Sequence, residues 1–143
     1  MYQSTPTYGP RRNHLGTYRA VAAQSAVDHA SPHRLVALLY AGLAAEIAAA
    51  RGAVARGDTA EKNRAVGQAV RILVEGLAAP LDYANGGEIA ARLGALYDYL
   101  IRRLTHANLH HDDAALAECA RLTATLQEAW EGIAGQVARS AAA

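Results

Sequence analysis

The sequence predicts an all-α protein: an antiparallel four-helix bundle preceded by a flexible N-terminal arm and a short extra helix. Alanine, the strongest helix former, fills 35 of the 143 positions, whereas aromatic residues make up only 6% and phenylalanine is absent. Apolar residues also recur every three or four positions in four long runs, which turn-forming residues separate. Because the connections between these runs are short, consecutive helices are expected to be antiparallel.

Composition also bounds the class of protein. With 52% apolar residues and a formal net charge of only +1, the chain is not of the disordered kind. Basic residues are mostly interspersed with acidic ones, which argues against a nucleic-acid partner. No uninterrupted apolar run approaches the roughly 18 residues of a membrane span, and the first residues lack the apolar core of a signal peptide. We therefore expect a cytoplasmic protein that does not insert into membranes.

Two units are expected along the chain. Residues 1–30 form the first, an arm and a short capping helix, and residues 31–143 form the bundle. Apolar residues within 15–27 can line one side of that short helix. The residues that exclude a long helix before it are Pro6, Gly9, Pro10 and Gly16.

Helix-start and helix-end signals delimit the first two bundle helices. Ser31-Pro32 predicts the start of the first, because the serine hydroxyl caps a free amide and proline suits the first helical position. Gly57 predicts its end. Asp58 predicts the start of the second helix, and Pro80 should stop or kink it.

The third and fourth helices follow the same logic. The turn over residues 83–88 places Glu88 in the first turn of the third helix, with a coiled-coil-like seam from Ile89 to Ala107 and an expected end at Asn108. Asp112 is expected to cap the fourth helix. The predicted core stripe of that helix is Leu116, Cys119, Leu122 or Thr123, Leu126, Trp130, Ile133 and Val137.

One cluster has the residue types of a metal site. These residues are His106, His110, His111, Asp112 and Asp113. The expected helix end at Asn108 separates the first two imidazoles, and no glutamate completes a metalloprotease-like HExxH pattern. We therefore favour a solvated loop with an aspartate cap over a metal site, and we expect neither metal nor cofactor.

No set of catalytic residues can be assembled from the sequence. Cys119 lies on the predicted core stripe, where a desolvated thiol is a weak nucleophile. Ser31 lacks the glycine-x-serine-x-glycine turn of a nucleophilic serine. Asp98 and Arg102, four residues apart, are expected to form an exposed ion pair. We therefore predict that the protein is not an enzyme.

Two of the predicted helices carry more apolar residues than one helix–helix contact requires, and this excess says more about function than the polar residues do. The first helix carries adjacent Leu38 and Leu39, and the third carries Tyr97 and Ile101 beside its main stripe. Such a wide stripe is either the flank of a thick core or a groove that accepts a helix of a partner.

The order of motifs resembles one family, the flagellar secretion chaperones (FliS). The resemblance covers nearly the whole chain, and its most specific part runs from GGEIA through LYDYLIRRLTHAN. The residues that carry it are Met1-Tyr2, Tyr18 twelve positions before Ala30-Ser31-Pro32, Leu35, Leu39-Tyr40, Gly42, Gly57-Asp58, Gly86-Gly87-Glu88-Ile89-Ala90, Leu93, Leu96-Tyr97-Asp98-Tyr99, Arg102-Arg103-Leu104, Ala107-Asn108, Asp112 and Ala129-Trp130.

The resemblance implies a non-enzymatic, cytoplasmic helical bundle that wraps the C-terminal segment of flagellin around its surface. That segment is disordered when free and becomes partly helical in apolar grooves of the chaperone. Binding would block premature filament assembly and present flagellin to a component of the export gate. Leu15 and Tyr18 fall at family positions that cap part of this surface.

We therefore predict a partner-binding surface made of Leu15, Tyr18, Leu38, Tyr40, Leu93, Tyr97 and Ile101. Leu15 and Tyr18 rest on the resemblance, and the other five rest on the width of the apolar stripes. The competing hypothesis is a helical adaptor or regulatory scaffold that binds a different export substrate or an anti-sigma factor.

Overall fold

A computed structural model describes residues 31–142 and confirms the all-α bundle. The predicted arm and short helix, with Leu15 and Tyr18, lie outside the described residues. The four helices are α1 (Pro32–Arg56), α2 (Thr59–Arg71, continued by a π-helical segment, Ile72–Ala78), α3 (Tyr83–His110) and α4 (Asp113–Ala142).

The helices form an antiparallel ring in which α1 packs against α2 and α4, and α3 packs against α4, α2 and the π-helical segment. Trp130, late in α4, donates a hydrogen bond to the carbonyl of His33 at the start of α1. Arg51, late in α1, pairs with Asp113 at the start of α4. One end of the bundle therefore holds the starts of α1 and α3 and the ends of α2 and α4.

The predicted caps are present. The Ser31 side chain accepts from the Arg34 amide at 3.1 Å, and Gly57 ends α1 in the left-handed conformation with φ 71°. The Asp58 carboxylate accepts from the amide of residue 61 at 3.1 Å. Asp112 caps α4 in the same way, accepting from the amide of residue 115 at 3.2 Å. These boundaries follow from local chemistry, which is why sequence patterns located them.

α2 stops before Pro80, as predicted, but its last turns widen into the π-helical segment, which the sequence pattern did not indicate. There the Ala79 amide bonds the Val74 carbonyl five residues back, at 3.0 Å, instead of the usual four. Gly76 within this segment lies against Leu39 of α1, so that a Cβ there would be 3.1 Å from the leucine side chain. Close packing on α1, which periodicity cannot show, therefore accompanies the widened turn.

The start of α3 also differs. A first helical turn begins at Tyr83, and the helix is broken at Gly87, whose φ of 54° and ψ of −130° suit glycine. Beyond this break the core seam begins at Ala90, which is buried, and not at Ile89, which is 72% exposed. The expected seam was therefore wrong at its first position. The first buried residue of α3 is Ala90, and the next, Tyr97, lies seven residues further along the helix.

Two glycines offer a matched test of this backbone break. We expect Gly87→Ala to destabilise the fold by about 1–3 kcal/mol, because an L-residue is strained at these angles. Gly67→Ala, in the α2 interior with no atom within 4 Å of the added Cβ, should instead stabilise by about 0.5–1 kcal/mol. Urea unfolding of both variants measures the difference, and equal changes would contradict the assigned break.

The core is built mainly from leucine, isoleucine and alanine, with Leu43 and Ile47 of α1 fully buried. Among residues 31–142, one helix, α1, is apolar enough by length and composition to cross a membrane, with a mean hydropathy of 1.5. This is weak evidence for a span, because the core helix of a bundle passes the same test.

Candidate functional site

Exposed large apolar side chains are concentrated at one end of the bundle. This apolar end, as we call it, is defined by five residues: Leu35 of α1 (36% exposed), Val74 of the π-helical segment (44%), Tyr83 and Ile89 of α3 (55% and 72%) and Ile133 of α4 (44%). The sixth such residue in the described part of the chain, Leu109, lies at the opposite end of α3. Apolar groups exposed together mark sites that bind other proteins more often than singly scattered ones do.

The opposite end, the polar end, is occupied by polar contacts between helices. Arg51 donates two hydrogen bonds to Asp113, at 2.9 and 3.0 Å. Lys62, only 2% exposed, donates from Nζ to the Asn108 carbonyl at 2.6 Å and to His111 Nδ1 at 2.8 Å. The lysine thus caps a carbonyl of the last turn of α3 from the neighbouring helix. Arg51 and Lys62 therefore each join two helices at this end.

Two of the predicted surface residues, Tyr40 and Tyr97, lie in the core at 1% and 2% exposure. Their hydroxyl oxygens are 2.6 Å apart and join α1 to α3 across the bundle. Burial raises the pKa of both phenols above the ordinary tyrosine value, so both hydroxyls stay protonated. Their contact with a partner stays a prediction, and in this structure they form a buried contact between α1 and α3.

The other predicted residues of the described chain are half-buried. Leu38 and Leu93 lie on the apolar-end side of the Tyr40–Tyr97 contact, whereas Ile101 lies one turn beyond it towards the polar end. The two remaining predicted positions, Leu15 and Tyr18, lie outside the described residues.

Trp130 lies on the predicted core stripe of α4 and makes contacts that the sequence does not indicate. Its Nε1 donates to the His33 carbonyl at 2.9 Å, and the His33 ring lies 4.6 Å from the indole. The Tyr40 ring approaches the same indole edge-on at 6.3 Å. These contacts join the start of α1 to the end of α4. A local sequence pattern cannot show that two residues 97 positions apart are in contact. The predicted antiparallel arrangement of the helices indicated only that these two helix ends would lie near each other.

The histidine cluster lies at the polar end. The expected end of α3 at Asn108 was wrong, because the helix continues to His110, and the His106 and His110 rings lie 4.6 Å apart on one face. At this end of α3, the Lys62 side chain of α2 donates a hydrogen bond to the Asn108 carbonyl. His106 Nε2 lies 3.2 Å from the Asp112 carboxylate. In the part of the chain that the structure describes, no group of three or more potential ligands is positioned to hold a metal ion.

The remaining candidates of the sequence reasoning are structural. Cys119 is fully buried, and burial raises the pKa of its thiol to about 11, so the thiolate is scarce at neutral pH. Thr123, and not Leu122, occupies the fully buried position of the α4 stripe. Asp98 and Arg102 form the predicted exposed ion pair.

The fold and this distribution define a class: a helical bundle with an apolar end of the kind that binds proteins. Comparison with known proteins agrees. Residues 14–137 match the family described as flagellar protein FliS. The flagellar secretion chaperone FliS of Salmonella typhimurium is 43% identical over 119 residues, covering 83% of this chain and 88% of that protein.

Two further relatives give the same result. FliSB of Pseudomonas aeruginosa, also a flagellar secretion chaperone, is 40% identical over 116 residues, covering 81% of this chain and 91% of that protein. FliS of Bacillus subtilis is 34% identical over 110 residues, covering 76% and 79%. The chain belongs to the FliS family of flagellar secretion chaperones. That family is not enzymatic.

Proposed function

We propose that the protein is a cytoplasmic export chaperone that binds the C-terminal segment of flagellin, prevents its premature polymerisation and delivers it to the flagellar type III export apparatus. The observation that carries the proposal is the apolar end, with five large apolar side chains partly open to solvent on a chain of this family. Binding is stoichiometric, and no chemical step is involved.

A disordered segment that becomes helical on binding needs apolar surface on its partner, because burial must offset the entropy lost on ordering. The half-buried Leu38 and Leu93 extend the apolar end towards the middle of the bundle. The bound chaperone would cover the flagellin segment, so that this segment could not contact other flagellin molecules and start polymerisation. A component of the export gate would then receive the complex.

The test is to mix the protein with full-length flagellin and with flagellin lacking its C-terminal segment, and to measure both affinities by calorimetry. We expect one-to-one binding to the full-length protein and none to the truncated one. Polymerisation of full-length flagellin should slow in proportion to the chaperone added.

Equal binding to both flagellins, or binding to neither, would overturn the proposal. The protein can also be isolated from its own cells together with its bound partner. If that partner is a different export substrate or an anti-sigma factor in place of flagellin, the result would favour the helical-adaptor hypothesis.

A further inference from the structure

We propose that the start of α3 is a strap that covers a notch further along the same helix, and that a large apolar side chain of the bound flagellin segment displaces it. The strap comprises residues 82–86, the cap and first turn of α3. The notch is the surface of α3 at Gly94, where the side chain of Tyr83 lies. The inference rests on the proposed function and specifies part of its binding site.

The notch exists because residue 94 has no side chain. The Tyr83 ring lies so close to the Gly94 backbone that a Cβ there would be 3.2 Å from Cζ and 3.3 Å from Cε1 of the tyrosine, and closer still to its hydroxyl oxygen. Even an alanine at this position would therefore move the ring. Glycine is less favourable than alanine inside a helix, and here it leaves room for one aromatic ring.

The surface around the notch is apolar. Ala90 and Tyr97, one turn before and one turn after Gly94 on the same face of α3, are both buried, and the neighbouring Leu93 is half-buried. A charged group in this position would lose hydrogen bonds to water without gaining a partner from these side chains. The notch therefore suits a large apolar or aromatic side chain, which is the chemistry of its present occupant.

The strap itself packs little against the bundle. All five of its residues are exposed, and Tyr83 is 55% exposed even though its ring lies on Gly94. The Asp82 carboxylate accepts from the amide of Asn85 at 3.1 Å and from its side chain at 2.7 Å, and the Asp82 carbonyl accepts from the Gly86 amide at 2.7 Å. These hydrogen bonds lie within the strap. A segment with few buried contacts opens at a low cost in free energy.

Gly87 is placed to act as the hinge of the strap. Its φ of 54° and ψ of −130° interrupt the helix directly after the strap, and no atom lies within 4 Å of a Cβ added there. Hinges are a few residues at the ends of elements that absorb a large change in backbone angles. Rotation at Gly87 lifts Tyr83 from the notch and leaves the remainder of α3 in place.

The strap and flagellin then compete for the same surface. The apparent affinity of a protein falls in proportion to the fraction of it that is open to the partner. Tyr83→Ala should therefore raise the affinity for full-length flagellin about three- to tenfold, measured by calorimetry. The opposite sign, a loss of affinity, is expected if the Tyr83 ring itself contacts flagellin.

Gly94→Ala tests the notch. The added methyl group displaces the Tyr83 ring and fills its place, so Tyr83→Ala should have no further effect in this background. The double variant should bind flagellin about three- to tenfold more weakly than Tyr83→Ala alone, because the partner side chain loses its place on α3. Gly67→Ala is the matched control, since no atom lies within 4 Å of its added Cβ, and it should leave the affinity unchanged.

Hydrogen exchange of the wild-type protein follows the strap directly. With saturating flagellin, the amides of residues 85 and 86 should exchange faster, since the strap loses its contact with Gly94. Slower or unchanged exchange there, an unchanged or lower affinity for Tyr83→Ala, or the same effect of Tyr83→Ala with and without Gly94→Ala would each overturn the strap while leaving flagellin binding intact. If neither the wild-type protein nor Tyr83→Ala binds flagellin, the proposed function itself fails.

Discussion

Replacing Ile89 with glutamine is expected to weaken flagellin binding about tenfold or more. Ile89 is 72% exposed at the apolar end. Burying an isoleucine side chain in an interface contributes about 1.5–3 kcal/mol, and each 1.4 kcal/mol corresponds to about a factor of ten in affinity. A glutamine placed in the same contact would also lose hydrogen bonds to water, which adds to the cost.

Leu109→Gln is the matched control for this experiment. Leu109 is also 72% exposed and also lies on α3, but at the polar end. Calorimetric titration of flagellin into each variant should show the loss for Ile89→Gln alone, with the same thermal stability for both chaperones. Equal affinities for the two variants would place the flagellin segment elsewhere on the bundle.

The second large effect concerns stability. Leu104→Ala should destabilise the bundle by about 2–5 kcal/mol, because Leu104 is fully buried and its truncation leaves a cavity in the core. Leu109→Ala, the same change on the same helix at a mostly exposed position, should stay within about 0.5 kcal/mol of the wild type.

Urea unfolding followed by circular dichroism measures both free energies. The slopes of the unfolding free energy against urea should agree between variants, so that the midpoints report stability. A small effect for Leu104→Ala would contradict its position in the core, and a large effect for Leu109→Ala would show that this exposed leucine has a structural role.

Helix boundaries were predictable wherever a side chain caps its own helix. Ser31, Asp58 and Asp112 each accept from an amide three residues further on, and Gly57 adopts the left-handed conformation. The end of α3 was mispredicted at Asn108, whose carbonyl is bonded by a lysine 46 residues away. A local pattern cannot contain that partner.

Candidate surface residues were predicted less well than the helices. The width of an apolar stripe indicated Tyr40 and Tyr97 as surface candidates, yet the structure buries both and joins their hydroxyls. Ile89 is the first residue of the predicted seam of α3, yet it is 72% exposed. A stripe shows which residues share a side of one helix, whereas burial depends on how closely the neighbouring helices approach that side.

The sequence by itself determined the helical class, the number of bundle helices, most of their boundaries and the family, because these depend on propensity, periodicity and motifs that lie close together along the chain. Only the tertiary structure decided that the exposed apolar side chains gather at one end of the bundle. It alone also showed that Trp130 meets His33 there. These features arise where helices distant in sequence come into contact, and the distances between their side chains depend on packing across the whole bundle.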